Sequence, residues 1–287
     1  MNTFFTTLSA RRRLICTTGA LSFVLLFHNS AVSQTATLSG VVNTYTKVTA
    51  LSAKSVTVNS AAGFAAGDRV LIIQMDGAVI NLANSAAYGA ITEYGSAGSY
   101  EFASINSVKG ATITFKNDIV NAYDPSQSVQ LIRIPSYTDA TVTGTLSAQP
   151  WNGSTGGVVA LFVSGALTLK ANINADGAGF RGGATDNVNR NFFGGNRTCD
   201  SSDYFFTQTG QSAASKGEGI ATLSIQSGYP IGKGSAANAG GGANTEEGGG
   251  GGGGNYSDGG NGGDSSGSTQ CPGCGGIGGG GLLYSNA

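Results

Sequence analysis

Histidine is nearly absent from this 287-residue chain, which holds only His28, and charge is scarce too, with 15 basic and 16 acidic residues. Long apolar runs are missing after residue 27. Each of these absences excludes a class of function. Residues 1–33 set Arg11, Arg12 and Arg13 before an apolar stretch at 14–27 and end on Ala31-Val32-Ser33, the order of a secretory signal. The stretch at 14–27 is interrupted by Thr17, Thr18 and Ser22 and is shorter than the roughly 20 residues a membrane helix needs. Cys16 lies within it and lacks the small residues that precede a lipidated cysteine. Cleavage before Gln34 is therefore expected, and with it His28 is lost. A mature chain without histidine excludes Ser-His-Asp and Cys-His catalysis, imidazole acid–base chemistry and histidine-held zinc or copper. Removing the three arginines leaves 12 basic against 16 acidic residues, a net charge of −4 with no basic cluster. That gives no electrostatic footprint for nucleic acid or an anionic membrane. Nor does the mature sequence contain a transmembrane segment.

Cysteine is also scarce. Cys199, Cys271 and Cys274 survive cleavage, too few for a four-thiolate zinc site. Cys271-Pro272-Gly273-Cys274 has redox-like spacing but no βαβ surroundings, so a stapling disulfide is expected, with Cys199, Cys271 and Cys274 as the candidates. One of the three is left to pair between chains or beyond residue 287. No Walker loop occurs, because Gly232-Lys233-Gly234-Ser235 lacks its spacing. Residues 259–264 (GGNGGD) match the start of a calcium-binding nonapeptide turn, but the pattern breaks at Ser266 and no second copy follows. No cofactor or metal is expected, and no pair of carboxylates stands out as catalytic.

What the chain does have is alternation, followed by glycine. Residues 54–58, 68–75, 100–108, 111–115, 128–134 and 140–146 are short runs of alternating apolar and polar residues, each reading as a strand. Lys109-Gly110 fits a tight hairpin. With no long helical periodicity, residues 34–149 are expected to form an antiparallel β-sandwich or small barrel. Residues 76–99 interrupt the regular spacing. Either this segment presents Asp76, Tyr88, Glu93 and Tyr94 as a ligand loop, or it folds as a short helix over 78–87 and a strand near 90–94. Residues 150–176 read as a junction followed by two strands about Ser164-Gly165, with Val159, Leu161 and Val163 on one face and Leu167, Leu169, Ala171 and Ile173 on another. Of the 48 glycines, 34 fall between 177 and 281. Residues 177–287 thus cannot bury an ordinary core. They are expected to be either extended threefold helices packed through glycine or disordered, and the aromatic residues Phe180, Phe192, Phe193, Tyr204, Phe205, Phe206, Tyr229 and Tyr256 favour order.

These features carry a resemblance. Residues 67–75 (GDRVLIIQM), 100–103 (YEFA), 150–153 (PWNG) leading to 155–161 (TGGVVAL), and 175–177 (ADG) leading to 179–183 (GFRGG) resemble a family of secreted, glycine-rich, adhesin-like bacterial surface proteins. Such proteins generally run on past their first glycine-rich tract, and residues 282–287 read as the start of a returning strand, so an N-terminal fragment is expected. The resemblance transfers no site residues; the signal, the β-pattern and the loss of histidine lead to the expectation of an all-β secreted or cell-surface structural or adhesive protein, not an enzyme. Its expected partner is an extracellular ligand or surface polymer such as a glycan. The alternative is a carbohydrate-binding module or carbohydrate-active enzyme that uses Tyr88, Tyr94, Trp151 and the carboxylates.

Overall fold

A computed structural model describes residues 36–185, 201–207, 213–222, 228–245, 247–265 and 271–282. The expected signal, Cys199, Phe192 and Phe193 lie outside these residues. Fourteen strands are seen among the described residues: β1 (Ala36–Gly40), β2 (Thr44–Ser52), β3 (Ser55–Val58), β4 (Arg69–Gln74), β5 (Val79–Ile80), β6 (Ile91–Glu93) and β7 (Tyr100–Lys109) come first. They are followed by β8 (Thr112–Phe115), β9 (Val129–Ile134), β10 (Ser136–Tyr137), β11 (Ala140–Ser147), β12 (Phe162–Val163), β13 (Leu167–Leu169) and β14 (Ile173–Asn174). The fold is all-β.

Six of these strands close a barrel in the order β2-β3-β8-β7-β4-β9, all pairs antiparallel. Alternation places Val48, Val56, Val70, Ile72, Ile105, Ile113, Phe115, Val129 and Leu131 inside, where Phe64 joins them. Gly110, at φ +57°, turns β7 into β8 where the Lys109-Gly110 hairpin is expected. The strands β4 and β9 read as nearly continuous apolar runs because both their faces are covered. Their outward residues Leu71, Ile132 and Ile134 pack under Val158 and Ala160. Two side-chain amides bind this covering segment by imitating a strand. Asn43 donates to the Ala160 carbonyl at 2.6 Å and accepts from its N–H at 3.0 Å, while Gln130 does the same with Gly156 at 3.0 and 2.9 Å.

Residues 136–174 then build a parallel ladder. β11 pairs with β1 on one side and with β13 and β14 on the other, so Ala36, Ala140 and Leu167 form one row and Leu38, Val142 and Leu169 the next. The two strands expected about Ser164-Gly165 thus pair with the preceding rung and not with each other. Gly165 sits at the corner, where the next amide, that of Ala166, donates to Asp139 at 2.7 Å. Within residues 76–99 the structure has a strand, β6, near 90–94, but residues 78–87 carry β5 and turns where a helix is the alternative expectation.

The glycine region is held together by its main chain. Gly249 and Gly252 donate to the carbonyls of Gly263 and Gly260; Gly259 and Gly262 donate to Gly279 and Gly276; Gly276 and Gly279 donate back to Gly249 and Gly252, all at 2.8–2.9 Å. Three extended segments (249–254, 258–264 and 275–281) therefore bond in a ring, each donating to the next at three-residue intervals. That interval is the turn of an extended threefold helix. Side chains continue it: Asp258, Asn261 and Asp264, three apart, accept the N–H groups of Gly281, Gly278 and Gly275. Segment 237–244 joins through Gly251 to Gly241 and Gly254 to Asn238, and segment 213–220 through Ala214 to Ala243 and Gly217 to Gly240.

Candidate functional site

The elements above surround a trough of about 1130 Å³. Its outer walls are segments 179–185 and 248–254, and segments 213–220 and 238–241 lie between them, each joined to its neighbour by the bonds just described or by Glu218 N–H to the Arg181 carbonyl at 2.8 Å. Ile73, Met75 and Gly98 of the barrel side and Leu282 close one end. Glycine dominates the walls, so the lining is largely peptide backbone.

An ion pair is fixed at this lining. Arg181 packs beside Glu218, its Nε donating to Oε2 at 3.0 Å and a terminal nitrogen to Oε1, while the Arg181 N–H also donates to Oε2 at 3.1 Å. Burial pushes the Glu218 carboxyl up, but these bonds and the guanidinium charge outweigh it and hold the group below its ordinary range. Behind the pair, Phe180 meets the buried Trp151 edge-on at 5.5 Å.

The four expected loop residues separate. Asp76 is buried, and its carboxylate accepts the Ser128 N–H at 2.6 Å and the Ser128 hydroxyl at 3.2 Å. Burial raises its pKa, against the pull of those bonds. Tyr88 is also buried, tilted against Phe205 at 5.3 Å and edge-on to Tyr229 at 6.4 Å, so its ring joins the loop to the glycine region and does not face solvent. Glu93 and Tyr94 are exposed. The four therefore divide: Asp76 and Tyr88 lie inward, and Glu93 and Tyr94 are presented to solvent.

Lysines that the sequence does not single out act as main-chain clamps. Lys216 Nζ donates to the carbonyls of Tyr204 at 2.8 Å, Gly232 at 3.0 Å and Gly234, and lies 4.6 Å from the centre of the Tyr88 ring. Burial lowers its pKa to about 7. Lys233 Nζ donates to the carbonyls of Gly273, at 3.0 Å, and Ser201. A lysine whose ammonium is surrounded by carbonyls leaves no mark in the sequence, because its partners are backbone atoms.

Cys271 and Cys274 form a disulfide and are fully buried. Asp264, the last residue of the calcium-like GGNGGD run, accepts the N–H groups of Gly273 at 2.9 Å and Gly275 at 2.8 Å around that loop, and these bonds hold its carboxyl below the usual range. Many other carboxylates also cap main-chain amides: Glu101 accepts from Val120 and Asn121, Asp68 from Ala65, Asp124 from Ser126 and Asp258 from Gly281. Exposed aromatic rings lie elsewhere, Tyr100 and Phe102 standing 6.0 Å apart on the outer face of β7. Among the described residues no helix is long and apolar enough to cross a membrane.

No protein-family model matches the chain, and no curated protein matches it. Among solved structures, it is similar to the tailspike gp54 of Acinetobacter baumannii bacteriophage AP22, solved with A. baumannii capsular saccharide, at 16% identity and a TM-score of 0.25 over 45% of this chain and 22% of that one. It is similar as well to the tailspike gp61 of Pseudomonas phage phi297 (17% identity, TM-score 0.25, 44% of this chain and 20% of that one). A third is the tailspike gp49 of Pseudomonas phage LKA1 (15%, TM-score 0.22, 48% and 23%). The matched region thus spans about a fifth of the length of these tailspikes, and scores of this size fix neither a common fold nor a common activity.

Proposed function

We propose that this is a secreted or cell-surface structural and adhesive protein that works without catalysis. The observation that carries the reading is how its polar groups are used. Carboxylates are the strongest acceptors in a chain this poor in histidine, and most of those among the described residues accept main-chain N–H groups, from Asp76 in the barrel to Asp258 and Asp264 in the glycine bundle. Groups fixed in this way hold backbone in place. A bundle whose core is main chain, with the Cys271–Cys274 disulfide pinning the turn that leads into segment 275–281, suits an oxidising exterior.

A second reading, carbohydrate binding, is favoured by Tyr94, Tyr100 and Phe102, which are all exposed and offer ring surface to sugars. Tyr88 and Trp151, being buried, do not serve it. The test is to incubate the mature protein with cells, matrix proteins and a glycan array while assaying polysaccharide hydrolysis in parallel. Binding without turnover supports the adhesive reading. Turnover abolished by one carboxylate substitution overturns it.

A further inference from the structure

The bonds between glycine segments recur every third residue, and one row on each wall of the trough takes no part in them. In segment 249–254, Gly249 and Gly252 donate to one neighbour and Gly251 and Gly254 to another. Gly250 and Gly253 complete the threefold set. They are exposed, line the trough and hydrogen-bond to no group among the described residues. The opposite wall repeats the pattern with Gly179 and Gly182, likewise three apart, exposed, lining the trough and without a hydrogen-bond partner among the described residues. A Cβ at either of the latter would meet nothing within 4 Å.

A threefold extended chain rises about 3.1 Å per residue, so each free row repeats at about 9.3 Å and the wall from 248 to 254 runs about 20 Å. Two main-chain rows of equal repeat, facing one trough, match the polar spacing of a third chain of the same kind. We propose that the trough binds an extended glycine-rich peptide, which takes up the free N–H and C=O groups of Gly250, Gly253, Gly179 and Gly182. The ladder it makes is the one that already joins the protein's own segments. Glycine is selected for the same reason as inside the bundle: at its contacts a Cβ would fall 1.9 Å from a neighbouring carbonyl oxygen, as at Gly262 and Gly278. This names a partner for the adhesive reading and rests on it, although peptide binding and cell binding are separate measurements that fail separately.

The test uses isotopically labelled mature protein titrated with a peptide of six glycines flanked by lysines. Saturable shifts confined to the amides of Gly179, Gly182, Gly250 and Gly253 are expected. Gly253→Val, whose Cβ has its nearest neighbour at an ordinary 3.5 Å, should weaken binding at least tenfold, as should Gly182→Val on the other wall. Gly260→Val, on an exposed position outside the trough, should leave binding unchanged. A peptide with alanine at every third position should bind at least tenfold more weakly. Unchanged amides of Gly262 and Gly278 would certify that each variant is folded. The proposal is overturned if the peptide gives no saturable shift, if neither wall variant weakens it, or if cellohexaose and not the peptide moves those four amides.

Discussion

Substituting alanine along segment 258–264 should produce an alternation of damage and tolerance set by the threefold bundle. A Cβ at Gly262 would lie 1.9 Å from the Gly249 carbonyl oxygen and one at Gly259 2.1 Å from the Gly252 oxygen, while Gly260 and Gly263 have nothing within 4 Å. The atom struck at Gly262 is main chain and already accepts the Gly276 N–H at 2.9 Å, so it cannot swing aside as a side chain would. Overpacking costs typically 1–3 kcal/mol, and a ladder hydrogen bond stretched in the process adds about 1 kcal/mol. Gly262→Ala should therefore lose about 2–4 kcal/mol. For a domain of this size that lowers Tm by roughly 4–16 °C, at about 2–4 °C per kcal/mol. Gly260→Ala and Gly263→Ala remove no contact and restrict the unfolded chain, so they should be neutral or stabilise by about 0.4–1 kcal/mol. Thermal unfolding of the four single variants, followed by amide exchange within the bundle, measures this directly. Equal Tm values for Gly260→Ala and Gly262→Ala would refute the packing argument.

Lys216 has a folded pKa of about 7 against about 10.4 in an unfolded chain, so between those values the unfolded state holds the extra proton and stability should rise with pH. Denaturant melts at pH 6 and pH 9 should show that rise, and Lys216→Met should remove the slope whatever it does to the absolute level. Asp264→Ala should speed hydrogen exchange at Gly273 and Gly275, with the native protein showing the same loosening as acid titrates the depressed Asp264 carboxyl; unchanged exchange in the variant would contradict its capping role. Mass spectrometry of the exported protein under non-reducing conditions should find Cys271 and Cys274 oxidised and an N-terminus near Gln34, and free thiols at both would count against the disulfide.

How much of this was legible in the sequence depended on which atoms carried the interaction. The strands β3, β7, β8 and β11 show as apolar alternation and β4 and β9 as short, nearly continuous apolar runs, because their side chains fill a barrel or a ladder. β2 escapes that reading although it bridges β3 and β9, because its inward residues include Thr46 and a register shift lies between Val48 and Ala50. The pairing of β13 and β14 with β11 was hidden for another reason: alternation marks a strand but not its neighbour, and a parallel rung reads like half a hairpin. Tyr88 and Asp76 looked like loop residues since their partners, Phe205, Tyr229 and Ser128, are at least 52 residues away in the chain. Asn261 and Asp264 read in the sequence as half of a calcium motif, whereas in the structure they form with Asp258 a row at three-residue intervals that caps Gly281, Gly278 and Gly275 on a segment distant in the chain.

A bundle built from main chain has little margin of its own, which explains the company it keeps. Ordering one residue costs about 1–2 kcal/mol, more for glycine than for any other, whereas a net hydrogen bond returns about 1 kcal/mol. Glycine brings no side chain to bury, so the usual hydrophobic surplus is absent from segment 249–254 and rests on Ile277 alone in segment 275–281. Stability has to enter at the edges. The Tyr88, Phe205 and Tyr229 rings supply apolar area where the connection between β5 and β6 meets segments 201–207 and 228–234, and Lys216 binds three carbonyls in the same place. At the far side the disulfide limits the unfolded chain, and the Asp258, Asn261 and Asp264 row adds acceptors that glycine cannot provide. The few polar and aromatic residues of the glycine region are accordingly its stabilising elements, and the glycines between them are what let the chains approach closely enough to be joined.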